Sequence, residues 1–408
     1  MEGWRHPVCS AHAITEMDKP EEPVIARWLE RSRNRALLFQ IVLMLGTVLF
    51  FVLIGINALN NLEQQGITSG FAFLERKAGF GIIQTLIDYP ESSNYGRTFL
   101  VGLLNTLLVS VLGIICATVL GFVIGIARLS SNWLVAKFAA VYIEIFRNLP
   151  LLLQVFFWYF TVLRALPLPR GSLHIGDWFF LNIRGIYIPR PLPGQGMNWL
   201  LIVFLASIAG IIVLKIWARR YQEKTGNELP IIRISLAIFI VPTVITWFAT
   251  GGPLHWELPV LQGLNFRGGI TVIPELAALL LALTVYTASL IAEIVRSGIL
   301  SVNPAQTEAA RALGLPQRKI LRLVVIPQAL RVIIPQMTSQ YLNLVKNSSL
   351  ATAIGYPDLV SVFAGTSLNQ TGQAIEIIAM TMAVYLTMNL LISWLMNWYN
   401  ARTLLLER

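Results

Sequence analysis

Two stretches of this chain, Leu37 to Ile56 and Thr98 to Ala127, contain no Asp, Glu, Lys or Arg. A helix crossing the hydrocarbon core of a bilayer needs about 20 apolar residues, so each stretch is long enough to span by itself. Only helices and closed barrels satisfy their backbone polar groups in lipid, which narrows the fold sharply. Further apolar stretches follow at 138–163, 197–214, 234–250, 276–292, 332–345 and 377–399. The expectation is an all-α integral membrane protein of about eight transmembrane helices. The stretch at 332–345 carries Gln336, Ser339, Gln340 and Asn343, which predicts a helix facing protein rather than lipid.

Composition agrees. The 408 residues are 55% hydrophobic and 13% charged, against about 25% charged in an average soluble domain. The net charge of +10 would suggest nucleic acid in a soluble protein. Here Lys and Arg gather on alternate loops, the pattern that fixes orientation with the basic side in the cytoplasm, so no nucleic-acid partner is expected. Met1 to Ala36 has charges throughout and no apolar run before a cleavage site, and Arg27, Arg31, Arg33 and Arg35 lead into the first span. It reads as a cytoplasmic tail and not a signal peptide. An even number of spans then places both termini inside. Arg164, Arg170, Arg184 and Arg190 run against the rule, but all lie on one outer loop long enough to cross regardless of charge.

Several activities find no support. No GxxxxGK[ST] run is present, so no P-loop can cradle ATP. His6, His12, His174 and His255 lie far apart with no metal-ligand spacing. Cys9 falls in the tail and Cys116 within a span, so they cannot bridge. The chain is not expected to be an enzyme by itself.

The outer segment 57–97 mixes Phe71, Phe73, Leu74, Phe80 and Ile82 with Glu75, Arg76 and Lys77, which suits either a short surface helix or a plain connector. A Pro- and Gly-rich outer loop covers 167–196. The two spans that follow, joined by a basic run at 218–233, read as an inserted hairpin, because a pair of helices preserves the topology of everything after it. Gly121 and Gly125 form a GxxxG pair that would let two backbones approach.

The loop between the sixth and seventh spans is the most informative. Asn303 suits a helix N-cap, Pro304 the first helical position, and Gln306 a capping box. Residues 305–313 are mostly strong helix formers, Gly314 can end the helix in the left-handed conformation, and Pro316 prevents its resumption. A second short helix at 317–325 is predicted, with Pro327 and Pro335 breaking the route back into the membrane.

Glu308-Ala309-Ala310, with Gly314 four residues on and then Ile326-Pro327, resembles the EAA loop of ABC-importer permeases. In that family the loop is a coupling helix seated in a groove of the ATPase, and the resemblance assigns this contact to Glu308, Ala309, Ala310, Arg311, Gly314 and Leu315. The flanks resemble polar (histidine/glutamine-type) amino-acid permeases: Gly102-Leu103-Leu104-Asn105-Thr106-Leu107, Phe146-Arg147-Asn148-Leu149-Pro150-Leu151, Glu293-Ile294-Val295-Arg296-Ser297-Gly298-Ile299 and Val345-Lys346-Asn347-Ser348-Ser349-Leu350. Asn148-Leu149 and Asn347 depart from the family pattern. The larger layout resembles one permease of the general L-amino-acid importers. It implies a type I five-helix core in the second, third, sixth, seventh and eighth spans. The first helix and the hairpin are additions. The implied division is a tail at 1–36, an extra helix and periplasmic segment at 37–97, core at 98–196, hairpin at 197–270, core with its EAA loop (300–327) at 271–400, and a tail at 401–408.

Charged residues inside spans are costly and either paired or functional. Glu144 with Arg147, and Glu293 with Arg296, sit three apart and can pair on one helix face. Lys346 stands alone, followed by Asn347 and Ser348. These residues, with Gln154, are candidates for a solute path or gate, with structural ion pairs as the alternative for the first two sets. The resemblance implies an ATP-binding subunit carrying ATP and Mg, a second homologous permease, a periplasmic amino-acid-binding protein, an amino-acid substrate, and a bacterial inner-membrane location, with no cofactor on this chain. Competing readings are a secondary transporter or channel, and an ABC permease for opines or other polar solutes.

Overall fold

The computed structural model describes residues 32–64, 70–225 and 230–404. The expected N-terminal tail up to Arg31, and the last residues of the C-terminal one, lie outside the described residues. Two compact units divide at Ser69. The first contributes one helix, α1 (Ser32–Gln64), apolar over Arg35–Asn57. Everything below concerns the second, from Gly70 onwards.

Among the described residues seven helices, α1 and six of the second unit, are long and apolar enough to cross a membrane. Helices α3 (Trp133–Asn148) and α4 (Leu151–Phe156, prolonged by a π-helical turn), bent by 106° where they meet, are together apolar enough to form an eighth span or a re-entrant pair. The bend has a local cause. Pro150 has no N–H to continue the ladder, and Leu149 before it is extended. The carbonyls freed by the break are met by one side chain: Gln154 Nε2 donates to Phe146 O at 3.0 Å and to Leu149 O at 3.1 Å.

The helix most enclosed by protein is α7 (Pro274–Leu300), with 67% of its apolar window buried. The helix carrying the stretch at 332–345, expected to face protein rather than lipid, has 33% of its window buried. Small residues account for the difference. Ala277, Ala278, Ala282, Ala288 and Ala292 are buried on α7, and α2 (Tyr95–Arg128) lies against them through Gly121 and Gly125. A methyl added at Gly121 would stand 2.6 Å from Ile291 Cγ2, and one at Gly125 would stand 2.8 Å from Ala292 O. The GxxxG pair therefore does what its spacing suggested. Helix α4 and the turns that follow it also pack on α7, where Leu151, Val155 and Leu163 meet Leu276, Leu279 and Leu283.

The region predicted as a loop at 167–196 contains strands, and they pair across the inserted helices. A four-stranded antiparallel sheet runs β1 (Leu173–Ile175), β2 (Phe179–Asn182), β3 (Gly185–Ile188), then β8 (Ile270–Val272). β4 (Arg190–Pro193) pairs with β5 (Leu254–Glu257), Pro193 opposite Leu254, and β6 (Val260–Gln262) pairs with β7 (Asn265–Arg267). Helices α5 (Met197–Thr225) and α6 (Ile231–Ala249) thus leave and return at one point, closed by the β4–β5 ladder. The segment before α2 is neither a surface helix nor a loose connector. Its 3₁₀ turn (Phe71–Glu75) buries Phe73 completely against Tyr95 and Phe363.

After α7 come α8 (Pro304–Ala312) and α9 (Gln317–Ile320). A π-helical stretch, Leu321–Val325, then leads into α10 (Ile326–Asn347). The two prolines predicted to break this route do not. From Gln317 to Ile354 the chain is one helical rod of 38 residues. Pro327 falls in the first turn of α10, where its N–H is dispensable, and the π turn before it widens the ladder. A short helix α11 (Leu368–Thr371) and the last span, α12 (Ala374–Leu404), complete the bundle.

Candidate functional site

Helix α8 is capped at both ends. The Asn303 side chain accepts from Ala305 N–H at 3.0 Å, and Pro304 follows as expected. At the far end Gly314 has φ +75°, its N–H donates to Arg311 O at 2.9 Å, and Leu315 N–H donates to Ala310 O at 3.2 Å. These two bonds and the left-handed glycine make a Schellman motif. Gln306 does not close a capping box; its side chain pairs instead with that of Gln328, tying α8 to the start of α10. Ala310 packs on Ile320 and Val325 beside Leu315 and is 5% exposed. Its methyl therefore seats α8 on the rod rather than meeting a partner, which corrects the expectation for that residue. Glu308, Ala309, Arg311 and Gly314 are exposed, and so is Leu313, at 80%. Leu313 was missed; a large apolar residue closing an otherwise polar helix was the available signal.

The charged candidates separate into two groups. Arg296 clamps Glu293 with both ends of its guanidinium, Nε to Oε2 at 3.0 Å and Nη2 to Oε1 at 2.6 Å. Glu144 and Arg147 lie 3.7 Å apart and are more exposed, and Asn148 Nδ2 donates to Glu144 O at 2.7 Å. Arg147 and Arg128 both lie within electrostatic reach of Glu293. These five side chains gather where α2 and α3 end and α7 nears its last turns. Both ion pairs are made within one helix, Glu144 with Arg147 on α3 and Glu293 with Arg296 on α7. Gln154, spent on the carbonyls at the α3–α4 break and 4% exposed, is a splint rather than part of a path.

Lys346 belongs to a different face. Gln336, Ser339, Asn343 and Lys346 are all exposed along α10, spaced to line one side of the helix. Lys346 and Ser349 border a cavity of about 450 Å³ together with Val360, Thr381, Tyr385 and Asn389. Ser348 is turned away from this stripe, buried with its hydroxyl on Val345 O, and Asn347 is half-buried.

Behind the cavity lies a polar knot that no single sequence segment announces. Asp358, 1% exposed, accepts from Ser361 N–H at 2.8 Å, with Tyr385 Oη and Thr352 Oγ1 each at 3.5 Å. Burial pushes its carboxyl up to about 7, against the opposing pull of those hydrogen bonds. Tyr356 donates to Asn105 O, Asn105 Nδ2 donates to Pro357 O, and Leu359 N–H donates to Thr106 Oγ1. The Asn-Thr pair of α2 thus holds the segment carrying Asp358.

A bundle of spans around α7, with a capped helix outside it and a polar stripe along one span, defines a helical membrane permease. The profile described as "Binding-protein-dependent transport system inner membrane component" matches residues 225–405. YhdX of Escherichia coli (strain K12), whose name places it among amino-acid ABC transporter permease proteins, is 57% identical over 92% of this chain and 95% of its own length. AapQ of Rhizobium johnstonii, the general L-amino acid transport system permease protein, is 48% identical over 92% and 94%. BztB of Rhodobacter capsulatus, the glutamate/glutamine/aspartate/asparagine transport system permease protein, is 41% identical over 92% and 95%. The chain belongs to this family of binding-protein-dependent ABC transporter permeases. It is accordingly a multi-pass inner-membrane subunit, and the family implies an ATP-binding subunit and a substrate-binding protein beside it.

Proposed function

We propose that this permease carries L-amino acids inward by alternating access, driven by ATP and Mg on a separate subunit, beside a second, homologous permease. The observation that carries the reading is the exposed stripe Gln336, Ser339, Asn343 and Lys346 on a membrane-spanning helix. Polar groups at that depth are not left to lipid; they face protein or a wet path. A cation flanked by neutral donors and acceptors in a cavity of about 450 Å³ suits the carboxylate of an amino acid. The names of AapQ and BztB agree with such a cargo.

Glu308, Ala309, Arg311, Gly314 and Leu313 would present the docking face to the ATPase. Both termini would then lie in the cytoplasm, and the substrate-binding protein would dock on the face that carries the β strands. ATP-driven approach of two ATPase subunits would move α8, and the rod from Gln317 would carry that motion to Lys346. The test uses the assembled complex. Glu308→Lys should leave the protein in the membrane yet detach the ATPase, abolishing uptake; normal ATPase attachment and uptake would overturn the coupling assignment. Lys346→Ala should lower uptake about tenfold, the scale of one charge-assisted contact, with ATPase attachment intact. Unchanged transport kinetics would remove Lys346 from the path.

A further inference from the structure

The segment before α2, the β lobe and the first turn of α7 line an open cleft of about 600 Å³, well away in sequence from the Lys346 pocket. That size lies in the range of small-molecule sites, roughly 300–1,000 Å³. Its walls carry one cation, Arg184, and one anion, Glu275, with Gln84 and Asn265 between the apolar residues. Arg184 is anchored through its backbone, whose N–H donates to Asn182 Oδ1 at 2.8 Å. Among the described residues its guanidinium meets no carboxylate at ion-pair distance. Glu275 is held by Tyr159, whose hydroxyl donates to Oε1 at 2.8 Å. Tyr187 donates to Asn265 Oδ1, which leaves the Asn265 Nδ2 donor unspent. Gln84 Oε1 is buried and has no hydrogen-bond partner.

We propose that this cavity is a second amino-acid site, distinct from the Lys346 pocket. The α-carboxylate pairs with Arg184, and the α-ammonium reaches Glu275. The cavity holds more space than a zwitterionic head requires, so side chains of many sizes fit. The site also has a mechanical link inward: Asn105 Nδ2 donates both to Gln84 O and to Pro357 O, joining the cavity wall to the Asp358 segment. The inference rests on the amino-acid cargo proposed above.

The test measures equilibrium binding of radiolabelled L-glutamine and L-glutamate to the purified permease–ATPase complex without binding protein, in a Lys346→Ala background that removes the other pocket. Binding should be present, and Arg184→Ala and Glu275→Gln should each weaken it about tenfold or more, with Arg184→Lys recovering part of the loss. Thermal melting of each variant shows that the fold is kept. Absence of binding, or affinities within twofold of the parent in both variants, overturns the proposal. So does a loss of uptake at unchanged direct binding, which would make the cavity a seat for the binding protein. If the complete system with its binding protein takes up no amino acid at all, the cargo reading falls first; if uptake proceeds and only binding is insensitive to Arg184 and Glu275, the second site alone falls.

Discussion

Helices α6 and α7 have nearly the same mean hydropathy, 2.1 and 2.0, yet 0% of one window and 67% of the other is buried by the protein. Apolar content places both in a membrane and says nothing about which is the axis of the bundle. Lipid tails are as apolar as leucine, so burial between spans is won by close packing rather than by escape from water. Helix α7 has the small residues for it. Its Ala288 and Ala292 lie at the glycines of α2, and Gly298 lies at Ile333 of α10. Helix α6 presents Ile232, Leu236, Ile240 and Phe248 outward instead.

The sharpest way to break this comparison is one substitution made twice. Gly125→Leu forces a side chain into the α2–α7 seam, where even a Cβ meets Ala292 O and Val295 Cβ at 2.8 Å. Overpacking of this kind destabilises by about 1–3 kcal/mol or more, and the expected outcome is loss of most monodisperse protein on detergent extraction. Gly210→Leu on α5, where the nearest atom to a Cβ is Ile238 Cγ2 at 3.5 Å, should leave the yield within about twofold. Equal losses would mean that the hairpin is packed as tightly as the core.

A second measurement probes the knot that locks the core at Asp358. Its carboxyl is raised from 3.8 to about 7, so the native state holds a proton that the unfolded chain gives up. The resulting stability is present in full below the unfolded value and is lost as pH rises through about 7. The melting temperature of the complex should therefore fall between about pH 4 and pH 7, reflecting a change on the order of 4 kcal/mol at most. Asp358→Asn should flatten that dependence; an unaltered slope would place the titration elsewhere.

The smallest effect is expected from removing the hairpin. Joining Gly194 to Pro253 by a short turn keeps the β4–β5 ladder and deletes both helices. The shortened protein should still attach the ATPase and melt within about 2 °C of the parent, the scale of a small local change. Failure to accumulate would show that the core leans on the hairpin.

Long uncharged runs made the spans legible, and the caps of α8 were readable at Asn303 and Gly314 because capping is local chemistry. The β lobe was not, since its strands are three or four residues long, contain Pro191 and Gly185, and find partners beyond the inserted helices. Nor was the Asp358 knot, which joins α2, α12 and the segment between α10 and α12. The charged candidates were found by residue type, yet only the structure separated Lys346, on an exposed face, from Glu293 and Arg296, clamped together. Pro327 misled because a π turn can absorb a proline that an ideal helix cannot, whereas Pro335 sits inside α10 without ending it.

That absorbed proline has a mechanical consequence. From Lys319 to Lys346 the rod rises by about 1.5 Å per residue, roughly 40 Å in all. Hinged near one end, such a beam works as a gear: a tilt of about 5° shifts the far tip by roughly 3.5 Å, close to one atomic diameter. Under the coupling proposed above, that lever length would set how far a displacement of α8 moves Lys346.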